Sequence, residues 1–249
     1  MIKTSLVFYA ILLGAVWIFY PEFTACSIDS VWCSVAYWTT LSAGKTGTLL
    51  IVFVASVVYA ARQSSAKRKA KIFIQSFLIL GGLLAGFAFL NEHVVKPVVK
   101  LSRPSHSYMI KQTKSVMTLD SLYTLEDNQR KAYLKGLITS DTLYLKQIDQ
   151  RVLNHWVDES GFSFPSGHSF NAYLLGTILA FGIYEEKKRK WRFLALIPLS
   201  WALLVALSRV ALGAHTAADV SAGAGIGLLL AFTLLGITAT RRLLIPKTI

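Results

Sequence analysis

Long apolar runs separated by short basic segments give the chain its organisation. A helix needs about 20 mostly apolar residues to cross the hydrocarbon core of a bilayer, with a working range of about 17 to 25. Six stretches meet this, or do so once their ends run on into neighbouring polar residues. They are Ser5–Tyr20, Gly47–Ala61, Ile72–Leu90, Phe170–Tyr184, Phe193–Leu207 and Val220–Ala239. The pattern predicts an all-α, polytopic membrane protein of six spans, a single membrane-embedded domain over residues 1–249. Between the third and fourth spans, Asn91–Ser169 is far more polar, and residues 105–164 are expected as a helical insertion within the domain. There Leu125–Leu137 and Asp141–Trp156 repeat apolar positions at helical spacing, with Thr124 and Ser140 as the expected N-caps. Leu145, Ile148, Val152 and Trp156 fall on one stripe. Such a stripe is usually core packing, and a lid over a lipid-binding cleft is the sharper reading. Gly82/Gly86 and Gly223/Gly227 set small residues four apart, a spacing that lets helix backbones approach in lipid but is common by chance.

Composition agrees with this pattern. Apolar residues make up 54% of the 249, charged residues only 16%, and mean hydropathy is +0.51, which excludes a disordered or ordinary soluble chain. The 26 Lys and Arg against 13 Asp and Glu give a net charge of +13. A nucleic-acid binder would display such an excess on a water-facing surface. Here it lies between apolar runs, where short-loop Lys and Arg set membrane orientation. Lys3, the Arg62–Lys71 cluster, the Lys187–Arg192 cluster and the tail basics Arg241, Arg242 and Lys247 all fall on one side of a six-span chain, the cytoplasmic side. Opposite short loops carry only Lys45 and Arg209. The Asn91–Ser169 loop holds ten basic residues, but its length removes it from the rule. Both termini are therefore expected in the cytoplasm and the long loop outside. The cytoplasmic clusters need no lipid-specific role beyond orientation.

Several local patterns carry little. Phe23-Thr24-Ala25-Cys26 loosely resembles a lipoprotein cleavage site, but Phe is poor at its first position, so the first span is expected to be retained. Two cysteines exclude a disulfide scaffold or a four-thiolate zinc site; Cys26 and Cys33 share the first external loop, where a disulfide and two free thiols both remain open. Gly44-Lys45-Thr46 ends like a phosphate-binding loop, but the glycine required five residues earlier is Thr39 and no strand precedes it.

Ionisable residues at membrane helix ends are costly unless paired or functional. Three external places concentrate them: Lys96, six residues, Arg103-Pro104; then Pro165-Ser166-Gly167-His168; then Ser208-Arg209, five residues, His215, three residues, Asp219. The expected topology brings all three to one membrane face. Lys96, Arg103 and Arg209 suit a phosphate dianion, since guanidinium groups grip its oxygens in a planar fork. Ser166 and Gly167 precede a helix, where a hydroxyl and free backbone N–H groups add neutral donors. His215 and Asp219 stand four apart, so the carboxylate can hold one ring nitrogen and leave the other as a nucleophile. His168 comes from another helix and suits general acid and base work. Three cations around two histidines and one carboxylate would repel a divalent ion, so neither metal nor cofactor is expected. Singly, an interfacial cation snorkels and a lone histidine is a satisfied polar group; the argument rests on their joint spacing. His93, His106 and His155 lack such company and read as structural.

These three segments resemble the complete signature of the type 2 phosphatidic acid phosphatase superfamily, which spans bacterial lipid phosphatases, class A acid phosphatases and vanadium haloperoxidases. Tyr123-Thr124-Leu125, His155-Trp156, Glu159–Pro165 and the interval from Pro104 to Pro165 are similar to those of the bacterial phosphatidylglycerophosphatase B group. The resemblance implies a metal-independent lipid phosphatase of a bacterial inner membrane, with its site facing the periplasm. Implied substrates are phosphatidylglycerol phosphate and also undecaprenyl diphosphate, phosphatidate or diacylglycerol diphosphate. His215 would be the phosphohistidine, His168 the acid and base, and Asp219 the group orienting His215. Lys96, Arg103, Ser166, Gly167 and Arg209 would bind phosphate. Glu159 is a lower-ranked accessory for proton transfer, against the blander reading of a solvated loop acid. The expected partners are substrate and membrane lipids, with no nucleic acid and no obligate protein. Two rival classes remain: a lipid-to-lipid phosphotransferase, and an anion or lipid transporter, the latter disfavoured because no internal repeat is visible and the charges lie at one boundary.

Overall fold

The computed structural model describes residues 1–19, 30–139, 143–186 and 188–245. Its regular elements are helices: α1 (Ile2–Phe19), α2 (Val31–Ser42), α3 (Lys45–Ala61) and α4 (Ala66–Leu90), which passes through a π turn at Asn91–Val95 into α5 (Lys96–Val99). Five shorter helices follow, α6 (Pro104–Gln112), α7 (Leu119–Thr124), α8 (Asp127–Thr139), α9 (Leu143–Lys146) and α10 (Gln150–Asp158). Then come α11 (Gly167–Glu186), a 3-10 stretch Arg189–Ala195 leading into α12 (Leu196–Ala211), α13 (Ala217–Gly236) and α14 (Thr238–Leu244).

Each expected span overlaps a helix, but three of the described helices are long and apolar enough to cross a membrane on their own: Ala66–Val99, Arg189–Ala211 and Ala217–Gly236. The pair α2 and α3, bent by 60°, makes a fourth when taken together. α1 is a shorter apolar helix. The 20-residue α11 falls outside this set for a physical reason. Residues on every side of it, from Ser169 and Phe170 to Thr177 and Ile178, are buried, so it faces protein and can carry Ser169, Asn171 and Thr177 without exposing them to lipid. Large apolar side chains of the outer helices, Trp17, Leu50, Leu78 and Leu229 among them, are exposed instead, as a lipid-facing surface requires.

α13 packs along α11 at backbone distance. A Cβ on Gly223 would lie 2.3 Å from Ser166 O, and one on Gly227 2.5 Å from Phe170 O. The Gly82/Gly86 pair, by contrast, has nothing within 4 Å of either added Cβ, and its spacing serves no close approach among the described residues.

The polar insertion differs from its expected outline. Thr124 does not cap the helix expected from Leu125, which begins at Asp127 as α8; it ends the separate helix α7, whose own cap is Thr118, its hydroxyl accepting from Ser121 N. Asp141–Trp156 is not one helix but α9 and α10, separated by Asp149, whose carboxylate accepts from Arg151 N at 2.8 Å and caps α10. Ser140 lies outside the described residues. Leu145, Ile148, Val152 and Trp156 are buried in one apolar cluster with Leu122, Leu134 and Leu212, so the stripe is core packing against the C-terminal end of α12. Trp156 Nε1 donates to Leu212 O at 2.6 Å and ties α10 to the turn that follows α12. Cys33 is buried at the start of α2 and is not free, while Cys26 lies outside the described residues.

Candidate active site

The turn between α12 and α13 carries His215. Gly213 adopts φ 66°, a left-handed conformation that glycine takes without a Cβ penalty, and Arg209 O then accepts from both Ala214 N and His215 N. α13 opens on a capping box: Thr216 Oγ1 accepts from Asp219 N while Asp219 Oδ2 accepts from Thr216 N at 2.7 Å. This holds Asp219 Oδ2 at 3.5 Å from His215 Nδ1, longer than a well-formed hydrogen bond but within ion-pair reach. On the other side of the ring, Arg103 Nη1 lies 3.3 Å from Nε2. A guanidinium has only donors, so Nε2 presents a lone pair and the proton sits on Nδ1, facing Asp219. His215 is 2% exposed, and burial lowers its pKa to about 3, helped by the charges of Arg103 and Arg209 and opposed by Asp219. The ring is a neutral imidazole at physiological pH.

Arg103 precedes Pro104 at the start of α6, in extended backbone. Its guanidinium is spread across the site: Nε donates to Gly161 O at 2.9 Å, and Nη1 donates to Ala214 O at 2.9 Å and to Glu159 Oε2 at 2.8 Å. Its backbone N–H donates to Tyr123 Oη at 2.9 Å. The tyrosine hydroxyl in turn donates to His106 Nδ1 at 2.8 Å, and His106 Nε2–H donates to Trp156 O at 3.1 Å, which leaves one consistent tautomer. Burial lowers the His106 pKa to about 3, so this histidine is a neutral strut beneath Arg103, as its structural reading held.

Glu159, at the end of α10, is not a solvated loop acid. Its Oε2 accepts from both Arg103 and Arg209, and its Oε1 lies 3.5 Å from His155 Nε2 and 3.9 Å from His168 Nδ1. Burial by itself would raise its pKa, but Arg209 and Arg103 hold the carboxyl well below the usual range. Arg209 is wholly buried, with Nη1 donating to Thr40 Oγ1 at 2.6 Å and meeting His155 Nε2 at 2.9 Å. Sequence reasoning missed both of these partners. His155 stands four residues before Glu159 on α10, the same spacing as His215 and Asp219, and that signal was open to reading. Thr40 had none, because only the fold brings α2 beside α12. Burial, against the attraction of Glu159, lowers the His155 pKa to about 4.

Lys96, Arg103, Glu159, Gly167, His168 and His215 line one cavity of about 440 Å³. Lys96 is buried at the start of α5 and pairs with Glu92. Arg209, Asp219 and Ser166 stand behind the wall. Ser166 Oγ accepts from Ser169 N and Ser169 Oγ, capping α11, and its backbone N–H donates to Asp219 O at 3.0 Å. The second and third sequence segments are thereby joined through the backbone, and all nine residues singled out in the sequence belong to one assembly.

A model of the PAP2 superfamily matches residues 74–243, which contain every one of these groups. The chain belongs to the PAP2 superfamily. Phosphatidylglycerophosphatase B of Bacillus subtilis (strain 168) is 37% identical over 101 residues, covering 34% of this chain and 49% of that protein. The protein of the same name from Escherichia coli (strain K12) is 30% identical over 150 residues, covering 59% and 56%. The matches thus span about half the length of these curated relatives. The crystal structure of a transmembrane PAP2 type phosphatidylglycerolphosphate phosphatase from Bacillus subtilis is similar in fold, with a TM-score of 0.51 at 21% identity, covering 94% of this chain and 85% of that one.

Proposed function

We propose that this PAP2 protein is a membrane lipid phosphatase of the phosphatidylglycerophosphatase B kind. Its reading is a six-span domain of a bacterial inner membrane with cytoplasmic termini, carrying residues 105–164 as an insertion on the periplasmic side. Phosphatidylglycerol phosphate is the leading substrate, with undecaprenyl diphosphate, phosphatidate and diacylglycerol diphosphate as further ones. The observation that carries the reading is the state of His215: a buried neutral ring with its Nε2 lone pair beside Arg103 and its Nδ1–H toward Asp219, across a cavity from His168.

In this reading Lys96 and Arg103 hold the phosphate oxygens, with Arg209 behind them and the Ser166–Gly167 turn at the start of α11. His215 Nε2 attacks phosphorus as the bond to the leaving oxygen breaks, and His168 gives that oxygen a proton. Asp219 stabilises the imidazolium character that develops on His215. Water then attacks the phosphohistidine, His168 takes the water's proton, the P–N bond breaks and inorganic phosphate leaves. Glu159 assists His168 and spaces the two arginines.

The test is phosphate release from a panel of lipid monophosphates and diphosphates with chelator present. His215→Ala and His168→Ala should each lose release by at least about a hundredfold, as for removal of a group acting in the transition state. Full release by His215→Ala from every such lipid would overturn the proposal.

A further inference from the structure

The roles above employ the cavity's cations, histidines and carboxylates and leave one buried group without a task. Asn91 is 2% exposed and lines the cavity beside Lys96 and Gly167. Its amide nitrogen donates to Pro165 O at 3.3 Å, which fixes the other end of the amide as the oxygen. That Oδ1 is buried and has no hydrogen-bond partner among the described residues. Asn171, one turn beyond Gly167 on α11, lines the same cavity and also has a buried Oδ1 without a partner among the described residues. Buried acceptors are ordinarily paired, so such an atom on a cavity wall asks for a donor from the cavity's occupant.

The backbone is shaped to put Asn91 there. In a regular α-helix five residues at about 100° each would leave Asn91 and Lys96 pointing about 140° apart. Instead Asn91–Val95 forms a π turn in which Lys96 N–H bonds Asn91 O, and both side chains reach the cavity wall. Single π turns inside α-helices recur at functional sites for this reason.

The chemistry of the missing donor is restricted. An ionised phosphate offers only acceptors and would be repelled by a carbonyl oxygen, whereas a neutral hydroxyl carried next to the phosphate supplies the donor this atom lacks. We propose that Asn91 Oδ1 accepts a hydrogen bond from a hydroxyl on the leaving group adjacent to the scissile phosphate ester, as in a glycerol phosphate headgroup. Asn171 extends the same acceptor wall. The inference rests on the lipid phosphatase reading and sharpens it. Lipids whose phosphate is attached to a glycerol bearing a free hydroxyl are favoured over phosphatidate and prenyl diphosphates, which carry none at that place.

The experiment compares phosphatidylglycerol phosphate with its 2-deoxy analogue, in which propane-1,3-diol replaces the headgroup glycerol, and includes phosphatidate as a third lipid. Wild type should favour the glycerol lipid over the deoxy lipid by about tenfold in kcat/KM, the size of one hydrogen bond between neutral groups. Asn91→Leu should lose more on the glycerol lipid than on the deoxy lipid, bringing the ratio within about threefold, as one deleted neutral hydrogen bond would. Absence of a preference in wild type overturns the inference whether or not the variant folds. So does an equal loss on all three lipids in Asn91→Leu, the mark of a residue that only braces Pro165 or positions the attacking water. Release from phosphatidate with neither glycerol lipid hydrolysed also overturns it, leaving the lipid phosphatase reading in place. No release by wild type from any of the three, nor from undecaprenyl diphosphate or diacylglycerol diphosphate, overturns that reading itself.

Discussion

Glu159→Gln isolates the charge at the centre of the site. The substitution keeps size and shape but removes the anion shared by two buried guanidinium groups, Arg103 at 4% and Arg209 at 0% exposure. At an effective dielectric of about 20, unit charges about 4 Å apart attract by about 4 kcal/mol, and two such attractions vanish together. Removing one partner of a buried pair costs about 3 to 5 kcal/mol in practice. The amide oxygen still accepts one hydrogen bond, so a loss of about 3 kcal/mol in the ligand-free protein is expected. For a chain of this size that is a fall in melting temperature of about 6 to 12 °C. The assay is thermal unfolding in detergent, with and without orthovanadate, a phosphate mimic that returns an anion to the two arginines. Vanadate at about a hundred times its Kd contributes about 2.7 kcal/mol and should restore most of the deficit. In wild type the carboxylate already neutralises the arginines, so the vanadate increment should be smaller than in the variant. A variant that melts with wild type in the absence of ligand, or that gains no more from vanadate, would refute the assignment of Glu159 as counterion to both arginines.

Three further outcomes are expected. Gly223→Ala places a Cβ 2.3 Å from Ser166 O and should cost about 1 to 3 kcal/mol as overpacking does, together with part of the activity, whereas Gly82→Ala meets nothing within 4 Å and should melt at or above wild type; equal behaviour in thermal scans would contradict the packing. Tyr123→Phe removes the oxygen that accepts from Arg103 N and the proton given to His106, and should destabilise the protein by about 1 to 2 kcal/mol in denaturant titrations; an unchanged midpoint would show that the strut bears no strain. His215, His106 and His155 have folded pKa values of about 3, about 3 and about 4, below the ordinary 6.5, so their unfolded forms bind protons that the folded forms refuse. Their stabilisation is therefore complete above pH 6.5 and is lost as pH falls from there toward pH 3 to 4, and His215→Gln should make that slope in melting temperature against pH shallower; a parallel curve would place the His215 titration elsewhere.

How much of this could be read from the residues depends on how far each interaction reaches along the chain. Lys96, Arg103, His168, His215 and Asp219 were legible because charge and imidazole are rare at membrane boundaries and because the His215–Asp219 pair is local, one helical turn. Glu159 was legible only as a weak candidate, since nothing local marks it as buried; its standing comes from Arg103 and Arg209, 56 and 50 residues away. His155 has its company one turn later in Glu159, at the same spacing that marks His215 and Asp219. Segment apolarity overstated what single helices do: α11 is shielded by its neighbours and so needs less hydrophobicity than a helix facing lipid. Residue type points to Thr124 as a cap, but the chain turns two residues later and α8 begins at Asp127, because caps are set by where the chain turns.

Ser166 and Gly223 show how two separate sequence signals become one device. Residue type alone makes Ser166 a phosphate donor, yet its hydroxyl oxygen is occupied in capping α11 and its backbone N–H is given to Asp219 O. That last bond forms only because α13 approaches to within a Cβ's breadth of the Pro165–His168 turn, which Gly223 alone permits at that point. Asp219 thus faces two ways, its side chain toward His215 and its carbonyl toward Ser166. The spacing of small residues on α13, which carries little meaning by itself, fixes the distance between the turn that opens α11 and the ring of His215. A substitution at Gly223 should therefore alter the site's geometry before it unfolds the helix pair, and partial loss of activity with retained folding is the state to look for in milder variants such as Gly223→Ala.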